Sequence, residues 1–124
     1  MIKVMIVDDN KLIRQSIIMT INWNSIGCDV VCEAANGSEA ISLTKEYLPD
    51  LIITDIRMPE INGLEFTEKV KEYLPWVKVI IITGYDEFKY AQRAIKLGAF
   101  DLILKPINNE ELYAVIIKAV NELK

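Results

Sequence analysis

Five side chains suited to holding a divalent cation and a phosphoryl group stand at the ends of apolar runs in this 124-residue chain. Asp8 and Asp9 follow KVMIV, Asp55 follows LIIT, Thr83 follows VKVIII and Lys105 follows DLIL. If those runs are parallel strands, all five groups reach the carboxyl edge of one sheet, where open α/β sheets bind their ligands. Three carboxylates that close repel one another, and a divalent cation relieves the repulsion. Hard oxygen donors select Mg2+ or Mn2+ over zinc. With Mg2+ and Lys105 in place, three negative charges face three positive ones, and the pocket can receive a phosphoryl group. Asp55 stands alone after its run and is the natural nucleophile for an aspartyl phosphate, leaving Asp8 and Asp9 to hold the metal. The Thr83 hydroxyl and the Lys105 ammonium supply the positioning and charge stabilisation that phosphoryl transfer requires. Taken singly, each feature is ordinary. An Asp-Asp pair after a strand usually caps a helix, Thr83-Gly84 is a turn, and Lys105-Pro106 is a loop with a surface lysine. The combination carries the weight.

The elements that must position these groups are legible as alternating patterns. Short β-branched runs predict strands at 3–7, 28–34, 51–54, 77–82 and 101–104. Amphipathic stretches predict helices at 10–22, 37–48, 64–74, 87–97 and 109–123. The last shows its stripe in Leu112, Val115, Ile116, Ala119, Val120 and Leu123. Five β-then-α units imply a parallel sheet covered on both faces. Runs such as VIII and LII suit strands buried on both sides. Asn10 is placed to cap the first helix, Asn36-Gly37 marks a turn, and Gly98 closes the fourth helix.

Composition narrows the function classes. At 52% apolar and 26% charged, the chain reads as one globular domain spanning 1–124. A net charge of -4 and a pI near 4.9 argue against nucleic-acid binding by this segment. No apolar run approaches the roughly 20 residues of a membrane span. The opening MIKVMIVDD reads as a strand rather than a signal peptide, so a cytoplasmic location is expected. Histidine is absent, which removes Ser-His-Asp and Cys-His nucleophile systems and most zinc sites. Cys28 and Cys32 fall on one strand at about 13 Å, beyond disulfide reach, and are expected to be two buried reduced thiols.

The motifs VDDN at 7–10, TDIRMPEINGLE at 54–65, TGYDEF at 83–88 and GAFDLILKP at 98–106 resemble the receiver domain of two-component response regulators. The likeness runs through essentially the whole chain. It implies a flavodoxin-like sheet in the order 2-1-3-4-5. It implies that Asp55 is the phospho-acceptor and that Asp9, Asp55 and the backbone carbonyl of Arg57 bind Mg2+, with Asp8 helping through water. Thr83 would bond the phosphoryl group, Lys105 would pair with it, and the Lys105-Pro106 bond would be cis. Receivers commonly carry an aromatic residue three positions before the site lysine; that position is Leu102 here, with Phe100 nearby. The segments INWNSIGCDVVCEAANGSEA and TGYDEFKYAQRAIKLGAFD, through Trp23, Ile26-Gly27 and Tyr85-Asp86-Glu87-Phe88, resemble receivers joined to AraC-type helix-turn-helix output domains. Such an output domain would lie outside this chain and carry any DNA contact.

Lacking histidine, the chain needs a separate histidine kinase as phosphoryl donor, or a small acyl phosphate in the test tube. Lys89, Arg93 and Lys96 make a basic row at helical spacing, and Asp101, Glu110 and Glu111 offer acidic counterparts. They could support a phosphorylation-favoured homodimer or simply be solvated faces. Other classes stay open. A stand-alone receiver would act by protein contact alone. A Mg2+-dependent phosphohydrolase with an aspartyl nucleophile needs a second acid, and no carboxylate lies two residues after Asp55. A flavodoxin-like nucleotide or flavin binder needs a Gly-rich loop after the first strand, which is missing. A degenerate, purely structural receiver is also open, although the full set of acidic, hydroxyl and lysine groups argues against it. On the favoured reading the chain is no enzyme beyond assisting its own phosphorylation and dephosphorylation.

Overall fold

The computed structural model describes residues 1–84 and 88–124, so Tyr85, Asp86 and Glu87 of the sequence motifs lie outside the described residues. Five strands are formed: β1 (Ile2–Val7), β2 (Cys28–Ala34), β3 (Leu51–Asp55), β4 (Lys78–Thr83) and β5 (Asp101–Leu104). The helices are α1 (Lys11–Thr20), α2 (Gly37–Tyr47), α3 (Gly63–Tyr73), α4 (Phe88–Lys96) and α5 (Asn109–Leu123). All strand pairs are parallel, in the order β2-β1-β3-β4-β5. The expected α/β architecture and strand order are both present.

Each face of the sheet has its own core. Val4, Ile6, Leu51, Ile53, Ile80, Ile82 and Ile103 face α1 and α5, meeting Ile17, Leu112, Ile116 and Val120. The alternate residues Met5, Val7, Ile52, Val79 and Ile81 face α2, α3 and α4, meeting Ala40, Phe66, Val70 and Ala94. Strands β3 and β4 are therefore apolar almost throughout, because neither of their faces reaches water.

Two local features depart from the periodic reading. The first helix was expected over 10–22 but runs only from Lys11 to Thr20. Asn10 is extended and caps it, its side chain accepting from the N–H groups of Leu12 and Ile13. At the other end Trp23 is buried, its indole N–H donating to the Ile18 carbonyl at 3.0 Å, and a 3-10 turn over Trp23–Ile26 replaces the last helical turn. Gly27, at φ 78°, ends that turn.

The second departure is a bulge in β2. Val4 pairs with Val30 but Met5 pairs with Cys32, so Val31 is an extra residue and the side chains beyond it change faces. Cys28 lies in the α1/α5 core, whereas Cys32 packs on the opposite core and is only half-buried, which corrects the expectation of two buried thiols. Both are free, and burial pushes both thiols up, Cys32 to about 11. Neither is a ready thiolate nucleophile.

The parallel register delivers the candidate groups to one edge. Val7 is level with Thr54, Asp55 with Ile82, and Thr83 with Leu104. Asp8, Asp55, Thr83 and Lys105 thus leave four adjacent strands at nearly the same height.

Candidate functional site

Asp8 is buried and closely held. Its N–H donates to the Ala34 carbonyl at 3.1 Å, and its Oδ1 accepts from the Asn10 N–H at 2.8 Å. Its other carboxylate oxygen, Oδ2, is buried and has no hydrogen-bond partner among the described residues. Burial pushes the Asp8 carboxyl up to about 6. The Asn10 N–H works against that shift, Asp55 adds to it, Lys105 opposes it and Asp9 adds to it. Asp9 is exposed, and one oxygen from each of Asp8, Asp9 and Asp55 lies within 4.8 Å of the others. A buried, orphaned carboxylate oxygen beside two more carboxylates fits a hard divalent cation, which would accept that lone pair and relieve the mutual repulsion.

Asp55, the last residue of β3, is 5% exposed. Its Oδ2 accepts from Lys105 Nζ at 3.1 Å, and its Oδ1 faces the Arg57 N–H at 3.4 Å. Arg57 is exposed, and its main chain borders the pocket through that N–H. Lys105 reaches Asp55 from the far side of the sheet because its own N–H donates to the Thr83 carbonyl at 2.8 Å, extending the β4–β5 pairing by one step. The Lys105-Pro106 peptide is cis. Thr83 is fully buried and its hydroxyl donates to the Gly84 carbonyl at 3.2 Å, a local bond that an incoming acceptor can replace.

The loop after Asp55 is packed backbone against backbone. Gly63 donates its N–H to the Ile56 carbonyl at 2.6 Å, and a Cβ on Gly63 would fall 2.8 Å from both the Asp55 carbonyl oxygen and the Ile56 Cα. From the α2 side a Cβ on Gly37 would fall 2.6 Å from the Ile61 Cβ. Gly63→Ala must therefore move the segment that carries Asp55. We expect it to cost about 1–3 kcal/mol, as overpacking does, read as a lower urea midpoint with an unchanged slope.

The structure brings together all of Asp8, Asp9, Asp55, Thr83 and Lys105, with the Arg57 main chain alongside. It does not supply an aromatic residue in place of Leu102. Leu102 packs on the α2/α3/α4 core, whereas Phe100 packs on the opposite core beneath the Lys78 ammonium, 5.5 Å from its ring centroid. Two residues given no role in the sequence reading now matter to the site, Gly63, which lies within the TDIRMPEINGLE motif, and Arg14. Arg14 has no motif signal beyond being a cation one turn into the helix that follows the acidic pair.

Comparison with known proteins agrees with this geometry. The family described as response regulator receiver domain matches residues 4–117. The transcriptional regulatory protein YesN of Bacillus subtilis is 35% identical over 124 residues, all of this chain and 34% of that protein. The transcriptional regulatory protein HptR of Staphylococcus aureus is 35% identical over 123 residues, 99% of this chain and 48% of that protein. The chain thus spans half or less of these curated relatives. Among solved structures, the receiver domain of AraT, a response regulator from Geobacillus stearothermophilus, superimposes with a TM-score of 0.92 at 41% identity, over 98% of this chain and 94% of that one. A two-component transcriptional regulator AraC from Clostridium phytofermentans gives 0.92 at 31% identity, over 99% and 95%.

Proposed function

This chain belongs to the response regulator receiver family, and from that premise we propose that it accepts a phosphoryl group on Asp55, with Mg2+ held by Asp8, Asp9, Asp55 and the Arg57 carbonyl. The observation that carries the reading is the meeting of three carboxylate oxygens within 4.8 Å, beside an ammonium 3.1 Å from Asp55 Oδ2. Mg2+, or Mn2+ in its place, supplies charge neutralisation at the transferring phosphoryl oxygens. An Asp55 carboxylate oxygen attacks phosphorus, the new O–P bond forms as the bond to the donor breaks, and the donor leaves with the electron pair. Lys105, already paired with Asp55, then faces a more negative partner and moves onto it. The buried Thr83 hydroxyl exchanges the Gly84 carbonyl for a phosphoryl oxygen. That exchange moves β4 against α4, the step through which the modification reaches the surface.

The donor is a sensor histidine kinase, since this chain contains no histidine. We place the chain, 1–124, as the cytoplasmic input domain of a transcription regulator whose output domain, of AraC helix-turn-helix type, lies outside it. Relatives described as transcriptional regulators support this. Among the described residues no helix is long and apolar enough to cross a membrane. Turnover of a free substrate is not expected: Arg57, exposed, stands two residues after Asp55, where an aspartyl phosphohydrolase would carry its acid. Incubation with acetyl phosphate tests the reading. A gain of one phosphoryl group in intact mass that requires Mg2+ supports it, and no gain under conditions that modify another receiver contradicts it.

Phosphorylation is further proposed to favour a homodimer through α4, β5 and α5. Lys89, Arg93 and Lys96 are exposed along α4, and Glu110 and Glu111 are exposed at the start of α5. Asp101 is half-buried with Oδ1 accepting from the Leu102 N–H, so it has one oxygen left to offer. Reversing one charge with Arg93→Glu is expected to weaken the phosphorylated dimer by about 10-fold while leaving phosphoryl uptake intact. Sedimentation equilibrium reads the dimer and intact mass reads the uptake, and an unaltered dimer would rule this face out.

A further inference from the structure

We propose that Arg14 is a positioning residue that aims the acidic pair at a divalent cation by holding the Asp8 carbonyl; the inference rests on the metal reading given above. Arg14 lies in the first turn of α1, its N–H donating to the Asn10 carbonyl at 3.2 Å. A cation there faces the positive end of the helix dipole, which is the unfavourable end. Specific partners offset this. Its Nη1 donates to the Asp8 carbonyl oxygen at 2.6 Å, and its Nε donates to Glu33 Oε1 on β2 at 2.7 Å. The Arg14 side chain is 12% exposed and that of Glu33 42%. The pair with Glu33 is therefore a half-solvated tether, while the bond to Asp8 is shielded.

The consequence follows from peptide geometry. The Asp8 carbonyl and the Asp9 N–H belong to one planar unit, so fixing that oxygen fixes the plane from which the Asp9 Cα departs. The exposed Asp9 carboxylate makes no hydrogen bond of its own among the described residues, so its direction comes from the two peptide units beside it, one held through the Asn10 N–H by Asp8 Oδ1 and the other through the Asp8 carbonyl by Arg14. Asp8 itself is fixed at its N–H by Ala34 and at Oδ1 by Asn10, which leaves its carbonyl as the remaining free handle. Arg14 takes that handle and anchors it to β2. Lysine cannot reproduce the arrangement, because the fork that reaches two acceptors at fixed angles is peculiar to the guanidinium.

The test is direct Mn2+ binding, followed by loss of the free-ion paramagnetic resonance signal and confirmed by Mg2+ competition, on the native chain and on Arg14→Gln, Arg14→Lys and Glu33→Gln. Circular dichroism melts check that each variant folds. Partners that orient metal ligands typically contribute 10–100-fold in affinity, so we expect both Arg14 variants to bind about 10-fold more weakly, with a smaller loss for Glu33→Gln. Native-like binding by Arg14→Lys would show that charge alone is needed and would overturn the proposal. If the Arg14 variants unfold, Glu33→Gln decides: weaker binding supports the tether and unchanged binding overturns it. Failure of the native chain to bind Mn2+ would instead refute the metal reading, and this inference with it.

Discussion

Asp55→Asn is expected to reduce phosphoryl uptake from acetyl phosphate from stoichiometric to undetectable, while leaving a cooperatively folded protein. The amide keeps the shape of the carboxylate in its 5%-exposed position but has no nucleophilic oxygen anion. It also removes one of the charges that would hold the metal. Lys105 would lose its ion-pair partner at 3.1 Å, but its side chain is 36% exposed and can turn to water, so folding should not fail. Intact mass with and without Mg2+ reads the outcome. Persistent uptake by the variant would mean that another side chain accepts the phosphoryl group, and the assignment of Asp55 would fall.

Asp8→Asn is expected to act in two opposite directions. The Asp8 carboxyl is pushed from its ordinary 3.8 to about 6, chiefly by burial. An acid whose folded value is raised binds its proton more tightly in the fold than in the unfolded chain. Its contribution to stability is full below about 3.8 and is lost as pH rises through about 6. Above that range the ionised, orphaned carboxylate costs about 3 kcal/mol, at ~1.4 kcal/mol per unit. The metal-free protein should accordingly be more stable near about pH 5 than near about pH 7.5, as far as this group decides. Mg2+ should stabilise strongly only at the higher pH. Asparagine keeps the Asn10 bond and removes the charge. It should therefore raise metal-free stability at neutral pH by about 2–3 kcal/mol and reduce the stabilisation by Mg2+. Urea unfolding at both pH values, with and without Mg2+, reads all four quantities. A variant less stable than the native chain without metal at neutral pH would contradict the account of Asp8.

The site was legible in the sequence because its members occupy strand ends, and strand ends are where periodicity changes. Asp8, Asp55, Thr83 and Lys105 each follow an apolar run, and a parallel sheet in register has to align them. What stayed hidden depends on tertiary contacts that leave no period. The bulge at Val31 is one extra residue within an unbroken apolar stretch, and it alone moves Cys32 to the opposite face from Cys28. The 3-10 turn at Trp23 exists because an indole finds the Ile18 carbonyl. Arg14 looks like any helical surface cation until its reach to Asp8 is measured. The sequence did mark Leu102 as a departure from the family pattern. It packs on the α2/α3/α4 core, with Phe100 on the other side of the sheet, so Phe100 does not take over that position. A readout that depends on an aromatic ring turning inward has no ring to turn there.

The most direct test of the central claim is to locate the acyl phosphate chemically. After incubation with acetyl phosphate and Mg2+, borohydride reduction converts an aspartyl phosphate to homoserine, and peptide sequencing by mass spectrometry identifies the position. The account predicts homoserine at position 55, only in the Mg2+-containing sample. Reduction at Asp8, Asp9 or elsewhere, or a phosphorylated chain with no reducible position, would contradict it.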